Sequence, residues 1–386
     1  MKIVDIEPYV LSQELETPFY FSQWHYASRK ICLVKVTLED GTYGWGEGYG
    51  PADMIKTGID FLKGFVIGEN VLENEKIWQI MYLRTLDFGR SGIFNAAISA
   101  IDVACWDCKG KVLQQPVSVL LGGVKNPIIH PYATGFYFTD SPTLEEDLIK
   151  EAKYYKEHGF KAAKMKVGLG IEKDVHYVNL LKEALGDDVK LMIDSNHAYN
   201  YREALELCKR IEHLNIGWFE EPVHPEDFNG YKSLRENTTI PIAGGECEYL
   251  KHGFKRLFEN DSVDIAQPDI CATGGLTEVK RIATLAQSYH KDIVPHSWGT
   301  WIAISAAIHF VANLDQNPGR MFRDAPMIEL DRTENPLRDD VIEHHIEVKN
   351  GEIKVPELPG LGIEVNQKYL NKYGDNSSKQ SLEVWQ

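Results

Sequence analysis

Apolar and polar positions fall into two rhythms along this chain. In the first, residues 30–45 read KICLVKVTLEDGTYGW, two β-rich runs joined by Asp40-Gly41, a dipeptide that closes tight hairpins. Beyond Pro51 the spacing turns helical through Ile55–Leu62, Glu73–Arg84 and Ile93–Lys111. Strands followed by helices, rather than interleaved with them, predict an α+β unit ending near Gly122-Gly123. From about Ile128 the second rhythm begins, a short apolar run and then an amphipathic helical stretch, repeated to about Leu330. Candidate strands are Ile128–Gly135, Ala162–Val167, Val189–Asp194, Gly217–Glu220, Ile242–Glu246, Asp264–Gln267, Asp292–His296 and one ending near Glu329. The first helix between them, TLEEDLIKEAKYYKEHG, is expected to open with a Thr143…Glu146 capping box and to stop at Gly159. Alternation of this kind predicts a parallel sheet with right-handed crossovers. Eight strands over roughly 200 residues favour a closed barrel over an open, doubly wound sheet. After Glu329 the pattern changes again: Asn350-Gly351 marks a hairpin in EVKNGEIKV, a helix follows near Val365–Lys372, and a loose polar end is expected. Three parts are therefore expected: residues 1–125, 126–345, and a C-terminal segment, 346–386, that packs back on the first.

Composition narrows the functional classes. The chain has 386 residues, 43% hydrophobic and 25% charged, enough to bury a sizeable core. Its formal net charge of −16, without any basic stripe, argues against a nucleic-acid partner. No apolar run approaches the roughly 20 residues that span a bilayer, so no membrane partner is expected. The N-terminal MKIVDIEPYVL lacks the layout of a signal peptide, and six scattered cysteines suit a reducing compartment. Cys105 and Cys108 form a C-x-x-C, but they fall within a predicted helix with no second pair, and read as packing. A soluble, cytoplasmic protein is expected.

The chemistry lies at the strand ends. In a (β/α)8 barrel the catalytic groups come from the C-terminal ends of different strands. Here those ends carry Lys164 and Lys166, Asp194 and Asn196, Glu220, Glu246, Asp269, His296 and Glu329. Asp194, Glu220 and Glu246 are separated by 26 residues each, as consecutive βα units would give. A lone acid at such a position is usually a helix cap, but three converging carboxylates repel unless a cation lies between them. Hard oxygen donors suit Mg²⁺ better than zinc. Lys164 and Lys166, two apart on a strand, share a face, and side by side each is expected to depress the pKa of the other. Asp269 and His296, on adjacent strand ends, can form a carboxylate–imidazole pair. Lysine and histidine thus bracket the acids from both sides.

This ordered set resembles the enolase superfamily, in particular its mandelate racemase subgroup, over essentially the whole chain. The motifs are K-x-K, D-x-N, E-E-P, G-G-E, Q-P-D, a histidine and a last-strand glutamate. The resemblance implies a modified TIM barrel, (β/α)7β, with an α+β N-terminal capping domain completed by the C-terminal segment. It makes Asp194, Glu220 and Glu246 ligands of Mg²⁺, and Lys166 a base with Lys164 its neighbour. It makes His296 and Asp269 the dyad on the opposite face, and Glu329 a hydrogen-bonding stabiliser of an enediolate. Two loops of the cap, Thr17–Arg29 and Glu47–Asp53, would choose the substrate, with His25, Arg29 and Asn196 as binding residues. His197 is an extra titratable group that reads as the start of a helix. The implied partner is a small-molecule carboxylate, handled by a homo-oligomer. The expected reaction is dehydration of an acid sugar, an aldonate or aldarate, to a 2-keto-3-deoxy acid. Racemisation or epimerisation of a 2-hydroxy acid is the alternative. A non-catalytic binding protein would have lost part of the set, and all seven principal positions are present.

Overall fold

The computed structural model describes residues 1–315, 321, 325–344 and 346–374. The polar C-terminal end expected to be loose lies outside them. The first rhythm gives an antiparallel sheet of β1 (Ile3–Phe21), β2 (Trp24–Leu38) and β3 (Tyr43–Gly48). Helices α1 (Ala52–Val66), α2 (Asn74–Thr85) and α3 (Ile93–Leu113) follow. The turn at Asp40-Gly41 forms where it was expected, and β2 pairs with β3 from Thr37–Tyr43 to Cys32–Gly48. Alternate glycines in β3, YGWGEG, are a matter of space. A Cβ on Gly46 would stand 2.0 Å from the Ala100 carbonyl oxygen, and one on Gly44 would stand 2.5 Å from that of Ala104. Only hydrogen on that side lets α3 lie directly on the strand. Most of α3 is buried as a result, including Cys105 and Cys108, so the C-x-x-C is indeed a packing feature.

The second rhythm gives the barrel. After α4 (Val117–Leu120), eight strands run β4 (Ile128–Gly135), β5 (Ala162–Lys166), β6 (Lys190–Asp194), β7 (Phe219–Glu220), β8 (Ile242–Gly244), β9 (Ile265–Ala266), β10 (Asp292–Ile293) and β11 (Met327–Asp331). Between them lie α5 (Leu144–Glu157), α6 (Ile171–Leu185), α7 (Tyr201–Ile211), α8 (Phe228–Asn237), α9 (Leu250–Glu259), α10 (Gly275–Ser288) and α11 (Trp301–Asn313). Parallel pairing runs unbroken from β4 to β10, and β11 pairs with the free side of β4. Among the described residues no backbone ladder joins β10 to β11. The Ser297 N–H, just past β10, instead donates to Glu329 Oε2 on β11 at 2.9 Å. Inside, one apolar cluster takes a residue from each strand or its flank: Tyr132, Ala162, Met192, Trp218, Ala243, Ile265, Val294 and Met327. Large rings beside alanines fill the lumen, so the barrel is a packed core rather than a pore.

Two local expectations fail for identifiable reasons. Thr143 stands at the N-cap of α5, but its ψ of 32° is not the extended value that aims a hydroxyl at the first-turn N–H groups. The hydroxyl contacts Asp147 instead, at 3.4 Å, and no capping box forms there. The box appears on α7, between Asn200 and Glu203. Residues 17–29, expected as a loop, are instead the tip of the β1–β2 hairpin, turning at Ser22-Gln23. Past α12 (Pro336–Asp340), the C-terminal hairpin of β12 (Val348–Lys349) and β13 (Glu352–Lys354) adds to the barrel side of the sheet, with Ile353 opposite Ile129. The chain then returns to the cap: the Leu361 N–H donates to Asp107 Oδ1 at 2.8 Å, and Gly374, after α13 (Gln367–Tyr373), bridges Leu11. No helix among the described residues is long and apolar enough to cross a membrane.

Candidate active site

Side chains on a strand repeat every two residues, so the layer above the apolar plug is set by the plug itself. Two positions on from Tyr132, Ala162, Met192, Trp218, Ile265, Val294 and Met327 stand Thr134, Lys164, Asp194, Glu220, Gln267, His296 and Glu329. They bond to one another across the lumen. Lys164 Nζ donates to Glu220, lies 3.0 Å from Glu329 Oε1 and 3.6 Å from Asp194 Oδ2. Gln267 Nε2 donates to Glu220 Oε2 at 2.6 Å, and Thr134 Oγ1 to Glu329 Oε1 at 2.6 Å. Thr134 and Gln267 were not singled out as site residues, although the period of two, counted from their neighbours, points to both. One layer higher, Lys166 donates to Asp194 Oδ2 at 2.5 Å and to Asn196 Oδ1 at 2.8 Å. Glu246 belongs to neither layer by count. Gly245, at φ +125°, breaks the phase of β8 immediately before it.

The opposite wall holds the dyad. His296 Nδ1 lies 2.6 Å from Asp269 Oδ2, and its Nε2 faces Glu246 at 3.4 Å and Glu329 at 3.8 Å. The expected acids therefore share one buried cluster without closing on a single point. Asp194 and Glu220 are drawn to lysines, while Glu246 meets only the imidazole among the described residues. Burial and the nearby Glu221 push the Glu246 carboxyl above its ordinary range. Burial raises Glu220 too, against the pull of Lys164. Burial would also raise Asp194, but Lys166 and Lys164 outweigh it and hold that carboxyl low. Burial lowers His296, yet Glu246, Glu329 and Asp269 push its pKa up to about 10. The expectation that the paired lysines depress each other fails for Lys164: burial does lower it, but Glu220, Glu329 and Asp194 hold it well above the lysine range. Glu329 is likewise an acceptor from Thr134, Ser297 N–H and Lys164, with a carboxyl held low chiefly by Lys164 against burial.

The cap hairpin covers the mouth. Tyr20 and Phe138 exchange backbone bonds of 2.8 and 3.1 Å, which tie the hairpin tip to the loop after β4. Phe21, Tyr26, Tyr137 and Trp298 pack together, and the Lys166 ammonium lies 4.4 Å from the Phe21 ring centroid. Arg29 does not reach out as an exposed cation. It is buried, paired with Asp331 at 2.7 Å, and its guanidinium lies 3.7 Å from the Trp298 centroid. Its Nη1 is a buried donor with no hydrogen-bond partner. His25 is half-buried on the same hairpin. From the second cap loop, Tyr49 lies against His296, ring centroids 5.0 Å apart.

The chain is similar to known proteins along its whole length. Residues 5–122 match the mandelate racemase / muconate lactonizing enzyme N-terminal domain, and residues 147–369 match the enolase C-terminal domain-like family. It is 39% identical over 373 residues to a D-galactarolactone cycloisomerase of Agrobacterium fabrum, covering 97% of this chain and 99% of the relative. An arabinonate dehydratase of Saccharolobus solfataricus is 35% identical, covering 89% and 90%. The crystal structure of the 3,6-anhydro-D-galactonate cycloisomerase from Zobellia galactanivorans superposes with a TM-score of 0.90 at 61% identity, covering 97% and 100%. A racemase from Streptomyces coelicolor, solved with bound magnesium, superposes with a TM-score of 0.86 at 26% identity, covering 96% and 99%. With both domains matched and a barrel whose mouth carries the family's ordered set, the chain belongs to the mandelate racemase subgroup of the enolase superfamily.

Proposed function

We propose that this enzyme is a Mg²⁺-dependent acid-sugar cycloisomerase that opens the ring of a 3,6-anhydro-hexonate such as 3,6-anhydro-D-galactonate. One observation carries the chemistry: Lys166 and the His296–Asp269 dyad stand on opposite walls of a single buried carboxylate cluster. The choice of substrate is supported by the 61% identity with the Zobellia enzyme. Asp194, Glu220 and Glu246 would hold the ion, as hard-oxygen donors of which the first two are buried and Glu246, partly exposed, has no lysine partner among the described residues. When bound, it supplies positive charge that stabilises the negative charge developing on the substrate carboxylate.

Lys166 takes the proton from C2, breaking the C2–H bond and leaving an enediolate. His296, fixed by Asp269, gives its Nε2 proton to the C3 oxygen as the C3–O bond breaks. The resulting enol takes a proton at C3 and becomes a 2-keto-3-deoxy acid. In an open-chain acid sugar the departing oxygen leaves as water. In a 3,6-anhydro acid it stays attached through C6, so the product is an isomer of the substrate. Dehydratase and cycloisomerase are then one elimination on two substrates. Asn196 would steady Lys166, and Glu329 would position Lys164 beside the substrate carboxylate. The aromatic wall of Phe21, Tyr26 and Trp298 favours a compact ring over an extended polyol, with Arg29 holding Trp298 from behind and His25 reaching the ring's hydroxyls.

The test is product analysis across a panel of anhydro, aldonic and aldaric acids. A semicarbazide-reactive product of unchanged mass is expected from the anhydro acid. A keto acid lighter by one water, from an open-chain acid alone, would make the enzyme a dehydratase. Deuterium at C2 of a product with no new carbonyl would make it an epimerase.

A further inference from the structure

We infer that His197, Glu221 and Cys247 form a second cation site, distinct from the carboxylates assigned to Mg²⁺, for a divalent ion of the zinc class. One ligand atom from each residue lies within 4.8 Å of the other two. His197 Nε2 is 3.0 Å from Glu221 Oε2 and 3.5 Å from Cys247 Sγ. A tetrahedral ion with bonds of about 2.0–2.3 Å sets its ligand atoms roughly 3.3–3.7 Å apart, so the two separations from His197 Nε2 are already near that range, and the third edge is no longer than 4.8 Å. Imidazole, thiolate and carboxylate together suit Zn²⁺ or Co²⁺ and discriminate against Mg²⁺.

The three residues come from the ends of successive strands, β6, β7 and β8, and the backbone is bent to bring them together. Asn196, His197 and Glu221 hold φ values of 42°, 66° and 45°, a conformation that non-glycine residues adopt at some cost. His197 Nδ1 lies 3.2 Å from the Val223 carbonyl oxygen, which leaves Nε2 as the nitrogen turned to Glu221 and Cys247. Glu221 is buried and Cys247 is exposed, so an ion can arrive from solvent and keep water in its fourth position. Glu221 Oε2 also accepts from Asn196 Nδ2 at 3.3 Å, and Asn196 Oδ1 accepts from Lys166. An ion held here would therefore be linked to Lys166 through two side chains, Glu221 and Asn196.

The test is a Co²⁺ titration of the full chain kept in excess Mg²⁺. A thiolate-to-cobalt charge-transfer band in the near ultraviolet is expected, saturating at one equivalent and surviving further Mg²⁺. Cys247→Ser should abolish the band. His197→Gln, which keeps the thiol, should weaken Co²⁺ binding ~tenfold or more, a loss of at least about 1.4 kcal/mol. Absence of the band in the wild type would overturn the site. So would a band that persists in Cys247→Ser, or one that further Mg²⁺ displaces.

Discussion

Buried acids gather in two regions of this molecule, and they are treated in opposite ways. At the seam between cap and barrel each acid stands alone among donors. Asp102, on α3, accepts from the Thr277 N–H at 2.9 Å and its hydroxyl at 2.6 Å, in the first turn of α10. Glu47, on β3, accepts from the N–H and hydroxyl of Thr300, the N-cap of α11. Asp107 takes N–H groups from Trp45 and Leu361 at 2.9 and 2.8 Å. At the mouth, Asp194, Glu220, Glu246 and Glu329 face one another, with Lys164, Lys166 and His296 among them. Asp102 and Glu47 complete hydrogen-bonding groups that helix N-termini leave open, and Asp107 ties β3 to the returning C-terminal segment. Mouth carboxyls are in surplus, and surplus buried charge of one sign marks a place where a cation and a reacting anion belong.

The largest effect should follow from cancelling that surplus. Glu246→Gln should lower turnover ~10³-fold or more, as expected when a metal's charge stabilisation is lost. Its melting temperature should stay the same or rise, because no lysine loses a partner. EDTA should abolish wild-type activity and Mg²⁺ should restore it. A stripped sample that turns over at full rate would make the mouth no different in kind from the seam.

The next effect separates the two walls of the mouth. Lys166→Ala and His296→Asn should each lose ~10²–10⁴-fold in turnover while remaining folded. In D₂O, His296→Asn should still place deuterium at C2 of recovered substrate, whereas Lys166→Ala should not. Exchange that survives in Lys166→Ala and disappears in His296→Asn would reverse the two roles.

Much of the mouth is legible in the sequence because strands count in twos. Once the strand ends were read, Lys164, Asp194, Glu220, Asp269, His296 and Glu329 came with them. What could not be read follows from contacts between distant residues. The pairing of Arg29 with Asp331 spans 302 positions, and no local pattern reveals that the guanidinium is already engaged. Lys164 looked like a lysine depressed by its twin, because its neighbours Glu220 and Glu329 enter only when the barrel closes. The seam was invisible for the same reason: Asp102 reads as an ordinary helical aspartate, and Thr277 lies 175 residues away. At β8, counting in twos selects Gly245 and Cys247; only the positive φ of Gly245 explains the break before Glu246.

Damage at the seam should be structural rather than chemical. Asp102→Ala leaves the Thr277 N–H and hydroxyl without their acceptor, at a cost of about 1–3 kcal/mol in unfolding free energy. Turnover at a temperature where the variant is folded should be essentially that of the wild type. If Asp102→Ala instead loses activity with unchanged stability, the seam belongs to the catalytic machinery and the contrast fails.

The smallest effect is the dependence of the seam on pH. Burial is the chief cause that pushes the Asp102 carboxyl up to about 7, and the bonds from Thr277 only partly oppose it. Its ordinary value is 3.8, so between the two pKa values the folded chain holds a proton that the unfolded chain has released. The contribution to stability is complete below the unfolded value and is lost as the pH rises through about 7. From pH 6 to pH 8 the loss from this one group amounts to about 1.4 kcal/mol. Asp102→Asn keeps a carbonyl acceptor for Thr277 and carries no charge at any pH, so its stability should lack that component. Chemical denaturation of both proteins at pH 6, 7 and 8 measures the difference directly, since every other titrating group is shared. Parallel curves would mean that Asp102 is ionised in the folded protein throughout this range rather than sheltered as a neutral seam residue.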